Sequence, residues 1–259
     1  MEFRHIRLAV SPAAVATVTL GRPDTLNALS FALLDELRAA LPKALERGAR
    51  CLLLTGEGRG FSSGADLSGS GGLPDDAGAA LEAYYNPLVE ELFALPIPVV
   101  AAVNGPAAGA GASLALCADI VIAARSAYFL QAFVNIGLIP DAGATWLLPR
   151  LVGRARALEM MLLGERIPAA KALEWGLIAR MVEDEDLASE AVALATDLAR
   201  GPTVALGLIR QLARHSAHLP LGDALAAERA AQRKAGETSD FKAAVGAFLR
   251  KRPLNFEGR

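Results

Sequence analysis

The sequence predicts an α/β fold closed by a helical region. Over the first two thirds of the 259 residues, short apolar and β-branched runs alternate with longer amphipathic ones. Two of the short runs, Cys51–Thr55 and Val99–Val103, are apolar throughout and read as buried strands. Beyond Gly201-Pro202 only helical patterns remain, so residues 1–200 are expected to form the core and 201–259 a helical appendage. Helices with exposed apolar faces usually dock, here on the core or on a partner subunit.

Taken in order, Arg4–Val10 and Val15–Leu20 predict a hairpin around Ser11-Pro12, and a loop follows from Gly21 to Leu29. Ser30 is placed to cap a helix reaching about Arg47, with Leu33, Leu34, Leu37, Leu41 and Leu45 on one face and a kink at Pro42. After the strand Cys51–Thr55, the loop from Gly56 to Leu67 exposes backbone through four glycines. Ser68–Ala77 is rich in Gly, Ser, Pro and Asp and is expected to be mobile, ahead of an amphipathic helix at Ala79–Leu95.

Leu92–Ala118 has no charged side chain, and its length alone would admit a membrane span. Pro96, Pro98 and Pro106, with Gly105, Gly109 and Gly111, would break such a helix, and Asn104 sits in the middle. The better parse is a strand at Val99–Val103, a turn at Asn104-Gly105, a helix of small residues from about Gly109 to Cys117, and a strand at Ile120–Ala124. A helix that opens on Gly and Ala offers backbone N–H groups to an oxygen atom; equally, small residues permit close helix–sheet packing. Further along, strands are expected at Tyr128–Leu130 and Leu177–Val182. Helices are expected at Arg154–Leu163, Pro168–Trp175, Asp186–Ala199, Pro202–His215, Leu221–Ala235 and Ser239–Lys251.

Net charge is −2, from 26 basic and 28 acidic residues of interleaved sign, which argues against nucleic-acid or polyanion binding. Cys51 and Cys117 lie in apolar runs and read as buried thiols of a reducing compartment. The first residues are charged and no apolar run of the secretory type follows them, so a cytoplasmic location is expected, with no membrane association. The three histidines, His5, His215 and His218, lie near the chain ends, away from any plausible nucleophile. No phosphate-binding or metal-ligand spacing occurs, and Gly109-Ala-Gly111 lacks the third glycine and the acidic residue of a dinucleotide fingerprint. Two small-residue turns after apolar strands remain, Ser63-Gly64-Ala65-Asp66 and Gly109-Ala110-Gly111, each able to aim a backbone N–H at one oxygen.

Several motifs recur together in order: Arg22-Pro-x-x-x-Asn27-Ala28, Gly60-Phe-x-x-Gly64-Ala65-Asp66-Leu67, Asn104-Gly-x-Ala-x-Gly109 with Ala118-Asp119-Ile120, Gly137-Leu-Ile-Pro140 and Phe248-Leu-x-Lys251-Arg252. In these the chain resembles the crotonase (enoyl-CoA hydratase/isomerase) superfamily over essentially its full length. The resemblance implies a spiral of ββα units, a C-terminal helical region that forms a homotrimer or a dimer of trimers, and an acyl-CoA thioester as substrate. Coenzyme A is then part of the substrate, with no cofactor and no metal. The thioester oxygen would be held by the N–H groups of Ala65 and Ala110. CoA would lie along Leu26, Asn27, Ala28, Ser63, Asp66 and Leu67 and near Lys251, with Asp66 fixing the loop that presents Ala65.

Two departures from the hydratases matter more than the match. The positions of their glutamates hold Ser113 and Phe133, neither of which can deprotonate water. Asp141 is the carboxylate left near the site. The run Gly137-Leu-Ile-Pro-Asp-Ala-Gly-x-Thr-Trp-Leu-Leu-Pro-Arg150 is especially similar to the ring-1,2-epoxyphenylacetyl-CoA isomerases of aerobic phenylacetate breakdown, although Ala144 stands where that subgroup has Gly. The resemblance therefore implies an acyl-CoA isomerase that opens a ring epoxide or migrates a double bond, with Asp141 as acid/base. Tyr85, Ser113, Phe133, Ile136 and Trp146 would line the acyl pocket, and the apolar lining of Phe133, Ile136 and Trp146 would exclude water and raise the Asp141 pKa. Read from the residues alone, Pro140-Asp-Ala-Gly fits a helix N-cap better than a catalytic acid at Asp141. The rival functions are a hydratase of fatty-acid β-oxidation and a catalytically silent CoA-binding homologue.

Overall fold

The computed structural model describes residues 3–67, 76–252 and 254–259. The hairpin forms as expected, from β1 (Ile6–Val10) and β2 (Val15–Leu20). The Ser30 hydroxyl accepts the Leu33 N–H at 3.3 Å and so starts α1 (Phe31–Glu46), which runs through Pro42. Leu33, Leu34, Leu37 and Leu41 of α1 are buried, and the helix lies on β1 and β2. β3 (Cys51–Gly56) follows. The mobile stretch expected from Ser68 lies outside the described residues as far as position 75. Where a single helix is expected at Ala79–Leu95 there are α2 (Ala77–Ala80), a π-helical turn at Leu81–Tyr85 and α3 (Asn86–Ala94).

The uncharged stretch folds as β4 (Val99–Val103), a short β5 (Pro106–Ala108) that the sequence reading missed, and α4 (Ala110–Leu116), every residue of which is buried. Next come β6 (Ile120–Ala124) and β7 (Tyr128–Leu130). α5 spans Ala144–Leu163 as two helical parts joined at Gly153, whose φ of +76° and ψ of 162° are not helical. The second part is the helix expected at Arg154–Leu163, and the first, which contains Pro149, was not expected. β8 (Arg166–Pro168) was also missed, and α6 is Ala169–Glu174. β9 is only Arg180–Val182: Leu177 and Ile178 are buried before pairing begins. The remainder is α7 (Leu187–Arg200), α8 (Thr203–His215), α9 (Leu221–Gly236) and α10 (Ser239–Leu249), close to expectation.

Six strands form one sheet in the order β1-β2-β3-β4-β6-β9, parallel except for the first pair. Its inner strands β3 and β4 carry the buried apolar runs Cys51–Leu54 and Val99–Val103, as parallel strands covered on both faces do. A smaller sheet, β5-β7-β8, stands apart. The chain alternates between them, β4 to β5 and β6 to β7, as a spiral does. An earlier rung is made by an isolated bridge between Ser62 and Ala107.

α7 packs on β3 and β4, and α8 is held by Asp119, whose Oδ2 accepts the Val99 N–H at 2.7 Å and Arg210 Nε at 2.8 Å. Oδ1 of Asp119 accepts Arg214 Nη2 at 2.8 Å. Cys51 and Cys117 are buried free thiols, each pushed up to about 12 by burial. Among the described residues no single helix is long and apolar enough to cross a membrane.

Candidate active site

The loop after β3 and the turn before α4 meet. A methyl group on Gly64 would lie 2.8 Å from the Ala108 carbonyl oxygen and 3.5 Å from the Ala110 nitrogen, so only glycine allows this approach. Its φ of +92° has the same requirement. The contact is stitched by Ser62 N–H to the Pro106 carbonyl at 3.1 Å and Ala108 N–H to the Ser62 carbonyl at 2.9 Å. Gly109, at φ +50°, turns the chain into α4 with its N–H on the Leu130 carbonyl at 2.8 Å. Ala65 and Ala110 each follow one of these glycines. Among the described residues neither of their N–H groups is taken up by a hydrogen bond. Two free donors on abutting turns are the arrangement that an oxyanion requires.

The Ala65 loop is held from behind by a polar network. Leu26 and Asn27 are both left-handed, at φ 52° and 56°. Asn27 is fully buried, with Nδ2 on the carbonyls of Glu57 (3.0 Å) and Gly60 (2.9 Å) and Oδ1 on the Arg22 N–H (2.9 Å). Its side chain is therefore consumed by the fold. Arg22 Nη1 reaches both the Ala28 carbonyl, at 2.6 Å, and Asp66 Oδ2, at 2.8 Å. The Ser63 hydroxyl donates to the Thr25 carbonyl at 3.0 Å. Leu67 is half exposed beside this network.

Around Ala110 the two departures from the hydratases are close at hand. The buried Ser113 hydroxyl donates to the Gly109 carbonyl at 3.3 Å, and a methyl on Gly109 would sit 3.7 Å from the Phe133 ring. Asp141 opens a turn in which Ala142 and Gly143 are both left-handed (φ +48° and +84°), and its carbonyl accepts the Ala144 N–H at 3.0 Å. That turn packs between α3, where Val89 would be 3.6 Å from a methyl on Gly143, and α4, where Cys117 Sγ is 4.0 Å from the Ala142 carbonyl. The side chain does not cap: the N-cap of α5 is Gly143, with no side-chain hydrogen bond. Asp141 Oδ1 is buried without a hydrogen-bond partner among the described residues, and burial pushes its pKa up to about 6. The charge of Asp141 reaches the buried Tyr85 hydroxyl, as does that of Asp66.

Of the remaining expected site residues, Trp146 has its own set of contacts, and Ile136 and Lys251 are exposed. The Trp146 ring packs on Phe93 (centroids 5.9 Å apart), on His218 (5.6 Å) and under the Arg150 guanidinium (4.1 Å). It lines a separate cavity of about 580 Å³ with Asp119, Arg210 and Arg214. It is held there by a ring of α3, by the imidazole of the turn after α8 and by the guanidinium one turn on in α5. Ile136 is 58 % exposed. Lys251 is exposed beyond α10 at φ +52°, and its ammonium makes no hydrogen bond or ion pair among the described residues.

A model of the enoyl-CoA hydratase/isomerase family matches residues 11–259. The chain belongs to that family. It is 50 % identical over 254 residues to the 1,2-epoxyphenylacetyl-CoA isomerase of Escherichia coli, covering 95 % of each. It is 33 % identical to the trans-2-decenoyl-(acyl-carrier-protein) isomerase of Streptococcus mutans over the whole of both. The crystal structure of an enoyl-CoA hydratase from Bacillus anthracis superposes with a TM-score of 0.93 at 32 % identity, covering 99 % of this chain and 100 % of that one. The enoyl-CoA hydratase/isomerase fold expected from the motifs is thus the one observed, and the isomerase reading agrees with these relatives. The left-handed pair Leu26-Asn27 and the π-helical turn escaped the sequence reading. Asn inside a loop is a weak signal for the first, and nothing in Leu81–Tyr85 announces the second.

Proposed function

We propose that this chain is an acyl-CoA isomerase that works through a thioester enolate. Its substrates would be 2-(1,2-epoxy-1,2-dihydrophenyl)acetyl-CoA, 3-enoyl-CoA, or both. The N–H groups of Ala65 and Ala110 would bind the thioester oxygen, and their hold tightens as negative charge develops on it. Asp141 would take a proton from the acyl chain and return it at another atom. A carboxylic acid titrating near 6 can do both close to neutral pH. The observation that carries the reading is the buried, unpartnered Asp141 oxygen in a site where Ser113 and Phe133 supply no second carboxylate. Leu26, Ala28, Ser63 and Leu67 would flank CoA, with Asn27, Asp66 and Arg22 holding their loop. Lys251 would meet the CoA phosphates. The apolar residues exposed on α9 and α10, among them Leu221, Leu225, Phe241 and Phe248, would be covered in a homotrimer.

The test offers purified protein 3-enoyl-CoA, 2-enoyl-CoA and the ring epoxide in deuterated water. Double-bond migration or epoxide opening with deuterium uptake next to the thioester supports the reading. A 3-hydroxyacyl-CoA product means a hydratase, and CoA binding without turnover means a silent homologue. Either result defeats the proposal.

A further inference from the structure

A π-helical turn joins α2 to α3. Its Asn86 N–H reaches back five residues to the Leu81 carbonyl. Such turns disturb the regular ladder and recur where a side chain must be aimed at a functional site. The residue that closes this one is Tyr85, 6 % exposed. Its hydroxyl donates a long hydrogen bond, 3.4 Å, to the Leu29 carbonyl. The same carbonyl accepts the Asp66 N–H at 3.2 Å, and Leu29 bridges to Ala65. The phenol is therefore moored to the segment that presents one thioester donor. Burial, then the charges of Asp141 and Asp66, keep it protonated well above neutral pH. It is near enough to feel Asp141, yet no hydrogen bond joins the two side chains. A donor held weakly on one side of the site and an acceptor without a partner on the other can serve two atoms of one substrate.

We propose that the Tyr85 hydroxyl is a specificity-determining donor, binding an oxygen carried one carbon beyond the α-carbon and so favouring oxygen-bearing acyl-CoA over plain enoyl-CoA. This rests on the enolate reading above. In the opening step Asp141 takes the α-proton, and the C–H electron pair forms the enolate held by Ala65 and Ala110. That pair then becomes the double bond between the α- and β-carbons as the β-carbon's bond to the epoxide oxygen breaks. The oxygen leaves with the electrons of that bond, and the Tyr85 O–H stabilises it as an alkoxide. The proton on Asp141 passes to it, so product and substrate differ only in connectivity.

Tyr85→Phe keeps the ring and removes only the hydroxyl. The readout is the ratio of kcat/KM for the ring epoxide to kcat/KM for 3-enoyl-CoA, measured beside the melting temperature. The expected result is a fall in that ratio of about 10- to 100-fold, as for losing one hydrogen bond to a charged oxygen. An unchanged ratio overturns the proposal. If both rates fall together, the hydroxyl only supports the Ala65 loop; if neither falls, it does nothing. A wild-type protein that moves double bonds but never opens the epoxide also overturns it, while leaving the enolate reading intact. A wild-type protein inactive on both substrates defeats that reading and this inference with it.

Discussion

The two sides of the site are built on opposite principles. The Ala65 side is saturated: Asn27, Arg22, Ser63 and Asp66 all spend their polar atoms on backbone or on one another. The Asp141 side leaves a buried carboxylate oxygen with no hydrogen-bond partner among the described residues. A group that must hold still is served by a full network, since fixed donors need no reorganisation as charge develops. A group that must exchange a proton is served by the reverse, since hydrogen bonds to its charged form would lower its pKa and weaken it as a base. Stability is gathered on one side and given up on the other.

The sharpest way to break this contrast is Asp141→Asn. Turnover of the isomerase substrate should fall by about 10²- to 10⁴-fold with little change in KM. The same variant should melt at a higher temperature than wild type, because a buried, unpartnered charge has gone. Loss of stability instead would mean that the carboxylate is a structural partner. Gly64→Ala comes next. Its methyl would press on the Ala108 carbonyl and displace one donor, costing about 10²- to 10³-fold in kcat. Arg22→Met should strip Asp66 of its guanidinium and destabilise the fold by about 3 kcal/mol in a urea titration. KM for acyl-CoA should rise as the loop loosens.

The pH profile separates the two sides without mutation. With Asp141 at about 6, kcat/KM should drop tenfold per unit below that pH and level off above it. Stability should run the other way. The folded-state pKa exceeds the ordinary 3.8, so the folded chain binds this proton more tightly than the unfolded one. That contribution is complete below about pH 4 and lost as pH rises through about 6. Asp141→Asn should remove it. The smallest effect is expected of Trp146→Leu, which should cost about 1 to 2 kcal/mol of stability through lost ring and cation contacts. Its kcat should stay within about twofold, since the indole lies in the other cavity.

These contrasts were unevenly legible in the sequence. The strands of the main sheet could be read because β3 and β4 are apolar on both faces and bounded by turn residues. The abutting glycine turns could be located, since only small residues permit them. The short strands β5 and β8 could not, because three residues carry no period and their pairing is decided by distant partners. The helical stretch from Ala144 to the break at Gly153 escaped because Pro149 reads as a stop, whereas the helix expected from Arg154 does begin after that break. Direction was the other gap. The resemblance put Trp146 in the acyl pocket, but which way an indole turns is decided by neighbours distant in the chain, here Phe93 and His218.

Asp119 has a consequence for how the molecule comes together. Its two oxygens serve the opening of β4 and two guanidinium groups of α8 at once. An amide there would turn two hydrogens towards cations, so even the nearest isostere is a poor substitute. One small side chain thus ties the helical last quarter of the chain to the opening of the central strand β4, alongside the bonds that Arg50 makes to Gly201, Thr203 and Phe256.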